Sequence, residues 1–142
     1  MFELTADPID FLQMRSRLTR ADAGALVCFE GLVRNHNEGM HVQALEYEVF
    51  SELAYHEAEV ILKEAHEKFD IYDVHCTHRH GLLQIGDMAV LVMATSAHRA
   101  QSFLACQYVI DEVKHRLPIW KKEHYVHGPS QWVACQACAH HD

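Results

Sequence analysis

Apolar and polar positions divide the chain into segments of two periods, one near 3.6 residues and one of 2. Asp7-Pro8 opens a helix expected from about Pro8 to Arg20, with proline at the first helical position and Ile9, Leu12 and Leu18 on its apolar side. Ala25 to Val33 reads as a strand, ended by the turn signal Asn35-His36-Asn37-Glu38-Gly39. Val42 to Phe50 alternates and is expected to return beside it as a hairpin. Ser51 stands as an N-cap for a helix to about Phe69, with Leu53, Val60, Ile61 and Leu62 facing the core. Ile71 to His80 is a further strand, broken by Gly81, and Met88 to Thr95 is the continuous apolar run of a central strand. A second long helix spans His98 to Leu117 and stops at Pro118. Short strands at Ile119 to Val126 and Gln131 to Ala134 finish the pattern. Helices mixed with mostly antiparallel strands make the class α+β.

Composition narrows what such a fold does. The 142 residues suit one domain over 1–142, with 134–142 expected as a flexible tail. No apolar stretch approaches the ~20 residues of a membrane span. The N-terminus carries acids where a secretory signal needs a basic and then an apolar segment, so the expected location is cytoplasmic. The five cysteines are odd in number and partly set in apolar stretches, which argues for buried thiols rather than disulfides. A net charge of −8 argues against general nucleic-acid or anionic-membrane binding. Five of the 12 lysines and arginines lie from Arg99 to Lys122, a local cluster that points to a specific small anion.

The second long helix carries the candidate chemistry. On a helical wheel with Phe103 at zero, Cys106, Ile110 and Leu117 share a side with Arg99 and Lys114. Buried lysine and arginine normally have partners. His98 and Arg99 lie in the first helical turn, where the macrodipole disfavours cations by ~0.3–1 kcal/mol each. A bound anion would compensate, aided by the free N–H groups of the helix start. Beyond Pro118, a strand carrying Lys121 and Lys122 can return near the helix end, although alternation does not say which faces inward. Two close lysines in a dry site depress each other's pKa and can then move protons or attack a carbonyl. Arg34, at a strand end before a loop, completes the set.

These segments together resemble the molybdopterin synthase large (catalytic) subunit family. The resemblance rests on GLVRNHNEG (Gly31 to Gly39) with LEYE (Leu45 to Glu48), on HRHG with Gly86-Asp87, and on TSAHR (Thr95 to Arg99). It also rests on Asp111 to Lys114 continuing through Pro118 to Glu123. It spans roughly Gly24 to Val133 in the family's order. It implies a single domain of the α/β-hammerhead type in which Lys114 and Lys121 are catalytic. Arg34, His98 and Arg99 match positions that bind the anionic pterin, and Leu32, Val33, Lys122 and Glu123 match flanking positions lining the pocket. The implied reaction moves sulfur from the C-terminal Gly-Gly thiocarboxylate of a small ubiquitin-like partner to cyclic pyranopterin monophosphate, giving a dithiolene. Two such chains form the core of a heterotetramer in the family, and neither a cofactor nor a metal is expected.

The end of the chain departs from the family: no arginine follows Trp132. Cys135-x-x-Cys138 with His140 and His141 has zinc-ligand types but no second ligand pair, and is read as no metal site. Most of the 13 histidines are scattered and are read as surface or network residues. A non-catalytic phosphate-binding adaptor on the same fold is the alternative; it would need Arg34, His98 and Arg99 but not both lysines.

Overall fold

In the computed structural model, which describes residues 1–138, the chain runs β1 (Phe2–Thr5), α1 (Phe11–Leu18), β2 (Ala25–Leu32), β3 (His36–Asn37), β4 (Met40–Val49), α2 (Ser51–Lys68), β5 (Asp73–Arg79), β6 (Gly81–Gln84), β7 (Met88–Ser96), α3 (Arg99–Arg116), β8 (Ile119–Tyr125), β9 (Trp132–Ala134) and α4 (Cys135–Cys138). One sheet has the order β1-β5-β7-β2, with β1 parallel to β5 and the other pairs antiparallel. A second sheet has the order β3-β4-β8-β9, and β6 also pairs with β4. The class is α+β, as the pattern implied.

Strand β7 shows why its sequence is apolar without alternation. Val90, Val92 and Ala94 pack with α2 and α3, while Leu91 and Met93 pack with Met14 and Leu18 of α1. Both faces are buried, so apolar side chains fill both, and the polar Thr95 and Ser96 at the strand's end are buried with their hydroxyls hydrogen-bonded. Helix α2 docks through Ala54, Ala58, Ile61, Leu62 and Ala65, a face whose alanines allow close approach. Helix α3 docks through Ala105, Cys106, Val109, Ile110 and Val113. Phe103 is 58% exposed, so the buried arc lies about 90° from the wheel origin at Phe103. Lys114 then falls at the edge of that arc. A small cluster of Val33, Leu45, Leu83 and Ala89 joins the sheets.

Several elements differ from expectation, each for a physical reason. Strands β2 and β4 do not form a hairpin: β2 pairs with β7 and β4 with β8. The local hairpin is β3–β4, turned by Glu38 (φ 50°) and Gly39 (φ 77°), a pair of left-handed residues that suits the twist of a tight two-residue turn. Helix α1 begins after Pro8, because the Asp10 side chain caps it by accepting from the Gln13 N–H. Ser51 is the first residue of α2 rather than its cap. Leu53 is 47% exposed, and its expected core place is taken by the alanines. Strands β1 and β6 were not anticipated; Gly81 (φ 91°) swings the chain from β5 into β6 instead of ending the sheet. Residues 134–138, expected as the start of a tail, complete β9 and form α4, with Cys135 packed on the core. No helix among the described residues is long and apolar enough to cross a membrane.

Candidate active site

Lys114 stands in the last turn of α3, where the macrodipole favours a cation. Leu117 and Pro118 then turn the chain directly into β8. The register of β8 on β4 sets Lys121 opposite Tyr47 and Glu123 opposite Leu45. These four side chains share one face of the sheet, and with Lys114 they line a cavity of about 280 Å³. Arg34 lies at its rim, where β2 ends. Three cations from three chain segments therefore border one concave space. Lys122, of opposite parity, points to the other face and places its ammonium 5.6 Å from the Trp132 ring centroid. The ambiguity left by alternation is thus resolved by register in favour of Lys121.

The cavity wall is a hydrogen-bonded cluster. Lys121 Nζ lies 3.3 Å from Glu123 Oε1, with side chains only 16% and 11% exposed. Glu123 Oε2 accepts from Tyr125 Oη at 2.6 Å and from Asn37 Nδ2. The Asn37 amide also donates to Tyr125 Oη at 3.1 Å and accepts from Arg34 Nη2 at 3.4 Å. The Tyr125 phenol is held above its ordinary pKa by its bond to the Glu123 carboxylate and by burial.

Buried His78 forms the floor, edge-on to Tyr47 with ring centroids 5.0 Å apart. Burial pushes its pKa down to about 4, against the Arg79 carbonyl bond that favours the charged form; the positive charge of Lys114 adds to the depression. His78 is therefore neutral near pH 7. Its Nδ1 must donate to the Arg79 carbonyl at 2.7 Å, which leaves the Nε2 lone pair free of a proton. The positive charge of the cavity comes from Arg34, Lys114 and Lys121, balanced by Glu123 and Glu30.

A family profile described as "MoaE protein" matches residues 4–116. The chain belongs to the MoaE family. A Thermoplasma volcanium protein named molybdopterin synthase catalytic subunit is 41% identical over 130 residues, covering 92% of this chain and 95% of its own. The crystal structure of molybdopterin synthase from Staphylococcus aureus superposes with a TM-score of 0.87 at 36% identity, covering 93% of this chain and 96% of that one. A chain from a complex of subunits 1 and 2 of molybdopterin-converting factor from Helicobacter pylori shares the fold, with a TM-score of 0.73 at 19% identity over 88% of this chain and 89% of that one.

Within this MoaE-family chain the residues singled out from sequence do not all meet. Leu32, Arg34, Lys114, Lys121 and Glu123 border the cavity, Leu32 from an exposed position. Val33 is buried between the sheets and only supports the wall. His98 and Arg99 are exposed at the opposite end of α3. Fifteen residues at ~1.5 Å each put Arg99 about 22 Å along the axis from Lys114. Within one chain His98 and Arg99 are therefore separated from the cavity, a distance that a wheel projection does not show because it discards the axial coordinate. His98 is the N-cap residue of α3 and makes no side-chain cap bond.

Asn37, Tyr125, Tyr47 and His78 were missed as site residues. Asn37, Tyr47 and His78 stood inside quoted motifs, but Asn37 read as turn chemistry, Tyr47 as a strand position and His78 as a network histidine. Among the described residues no group of three or more His, Cys, Asp or Glu could hold a metal ion. The Cys138/His140/His141 part of the tail motif falls outside the side chains described here.

Proposed function

We propose that this chain is the catalytic subunit of a molybdopterin synthase, an enzyme rather than an adaptor. It takes sulfur from the C-terminal thiocarboxylate of a small ubiquitin-like partner and places it on cyclic pyranopterin monophosphate, forming the dithiolene of molybdopterin. The observation that carries this reading is the meeting of Lys114 and Lys121 in one partly dry cavity with Arg34 at its rim. Such a cavity suits two anions. A slim tail can reach the lysines at depth, while a phosphate is held nearer the surface. Sulfur adds to a pterin side-chain carbon as an oxygen leaves with a proton, and the ammonium groups of Lys114 and Lys121 supply that proton and steady the charge. Water then cleaves the acyl–sulfur bond, releasing the partner as a carboxylate, and a second thiocarboxylated carrier repeats the transfer at the adjacent carbon to supply the second sulfur of the dithiolene. Glu123 keeps Lys121 oriented toward the cavity, and neutral His78 leaves the floor uncharged.

His98 and Arg99 enter this scheme from a second copy of the chain. They stand too far from Lys114 to hold the same substrate in one chain, and their exposure leaves them available to a neighbour. Two large chains sharing sites and two small partners make the expected heterotetramer, working in the cytoplasm with no bound cofactor and with the catalytic domain spanning the whole chain. Mixing Lys121→Ala with Arg99→Ala chains tests the sharing: turnover restored in the mixture supports it, and two inactive variants that stay inactive together oppose it.

The test of the whole reading is reconstitution with a thiocarboxylated carrier and the cyclic pterin. Dithiolene product is expected from the wild-type chain. Lys114→Ala should retain the carrier and lose conversion; retained conversion would remove Lys114 from the chemistry, and a wild-type chain that binds both partners without making dithiolene would favour the adaptor.

A further inference from the structure

The cluster beside Lys121 is organised around an amide. Asn37 sits in β3, held over β8 by the tight Glu38-Gly39 turn. Its oxygen accepts from Arg34 Nη2 at 3.4 Å. Its nitrogen donates to Glu123 Oε2 and, at 3.1 Å, to Tyr125 Oη. Tyr125 adds its own 2.6 Å bond to the same Glu123 oxygen. The other Glu123 oxygen faces Lys121 Nζ at 3.3 Å. An unbroken path thus runs from the rim cation through Asn37 and Glu123 to the inner lysine. Only an amide combines acceptor and donor on one short planar head. Aspartate would keep the acceptor for Arg34 but set a second carboxylate against Glu123, and an apolar residue would keep neither bond. Nothing in the core requires these groups: Asn37, Lys121, Glu123 and Tyr125 are part-buried polar side chains and Arg34 is exposed at the rim.

We infer that Asn37 and Tyr125 are positioning residues: together they clamp one oxygen of Glu123, so that its other oxygen holds Lys121 in the cavity while Asn37 ties Arg34 to the same frame. This rests on the sulfur-transfer function proposed above. Supporting groups of this kind matter because catalytic placement tolerates little slack, and a misplacement near 1 Å can cost ~100-fold in rate.

The experiment compares wild type, Asn37→Ala, Asn37→Asp, Tyr125→Phe, Glu123→Gln and the Asn37→Ala/Glu123→Gln double variant. Each is assayed for dithiolene formation with thiocarboxylated carrier and cyclic pterin, after circular dichroism shows that it is folded. Asn37→Ala is expected to lower kcat about 10- to 100-fold, with KM for the carrier moving less than about threefold, since the substitution keeps both lysines and disturbs only their positioning. Asn37→Asp, nearly isosteric, should be as slow as Asn37→Ala, which a space-filling role would not produce. Tyr125→Phe should lose rate in the same direction. The double variant should be within about threefold of Glu123→Gln alone, because residues acting as one unit are not additive. Rates of Asn37→Asp and Tyr125→Phe within about twofold of wild type, or losses that multiply in the double variant, would overturn the inference. A wild-type chain that makes no dithiolene in the same assay would instead remove the functional reading beneath it.

Discussion

Two adjacent lysines on β8 provide a sharp test of the site, because the sheet sends them to opposite faces. Lys121 lies in the cavity, 16% exposed and paired with Glu123 at 3.3 Å. Lys122 lies over Trp132, its ammonium 5.6 Å from the ring centroid. Lys121→Ala removes a cationic donor aimed at charge that forms during sulfur transfer, and losses of one such donor run near 10²–10³ in kcat, about 3–4 kcal/mol. The same change leaves the Glu123 carboxylate with Asn37 and Tyr125 but without the Lys121 ammonium. The pair is more buried than a surface salt bridge and better solvated than a core one, so stability should fall by about 1–3 kcal/mol. Lys122→Ala forfeits a solvent-facing cation–π contact worth roughly 0.5–1 kcal/mol and nothing in the cavity. Its turnover should remain within about threefold of wild type. The assay is steady-state dithiolene formation at saturating carrier and pterin, with urea unfolding followed by circular dichroism on the same samples. A Lys122→Ala variant that loses as much rate as Lys121→Ala would refute the register argument.

Three further outcomes follow from the packing and the buried groups. His75 and His78 both have pKa values pushed down to about 4, chiefly by burial, so each is neutral in the folded protein while the unfolded chain protonates near 6.5. Their contribution to stability is complete above pH 6.5 and declines as pH falls from there toward 4; for His78 the loss is of order 3 kcal/mol, and a urea midpoint unchanged between pH 7 and pH 5 would contradict this. Gly39→Ala puts a side chain at φ 77° in the turn that carries Asn37, and should cost about 1 kcal/mol in unfolding free energy and lower turnover with it. Burial lifts the Cys76 and Cys106 thiols to about 12 and about 11, far from thiolate formation at neutral pH. Sulfur should then come from the carrier alone, and a chain with Cys28, Cys135 and Cys138 all replaced by serine should keep most of its turnover; loss of dithiolene formation in a folded variant would argue for a thiol step.

What was legible in the sequence was set by local patterning. The Met88–Ser96 strand, the α2 and α3 helices and the Pro118 stop all carry their cause within a few residues. Partner choice did not, because nothing near Ala25–Leu32 indicates that its neighbour is β7, some sixty residues on in the chain, rather than the strand that follows it. The four-residue strand Phe2–Thr5 is too short to show a period and is held by parallel pairing with β5. Lys114 and Arg34 were identifiable from helix position and strand end. Choosing Lys121 over Lys122 needed either the family motif or the pairing with Tyr47. Arg99 was grouped with Lys114 by angle, and His98 and Arg99 together by the helix start and the family motif; length along α3 separates both from Lys114. Asn37 was hidden because a turn asparagine and a hydrogen-bonding asparagine look the same until the hairpin is folded over β8.

The most direct measurement is a crystal structure of this chain bound to a small carrier protein ending in Gly-Gly. The terminal carboxylate is expected inside the cavity, within hydrogen-bond distance of both Lys114 Nζ and Lys121 Nζ. A tail seated elsewhere, for instance along the Trp120 and Trp132 face, with both amines untouched, would contradict it.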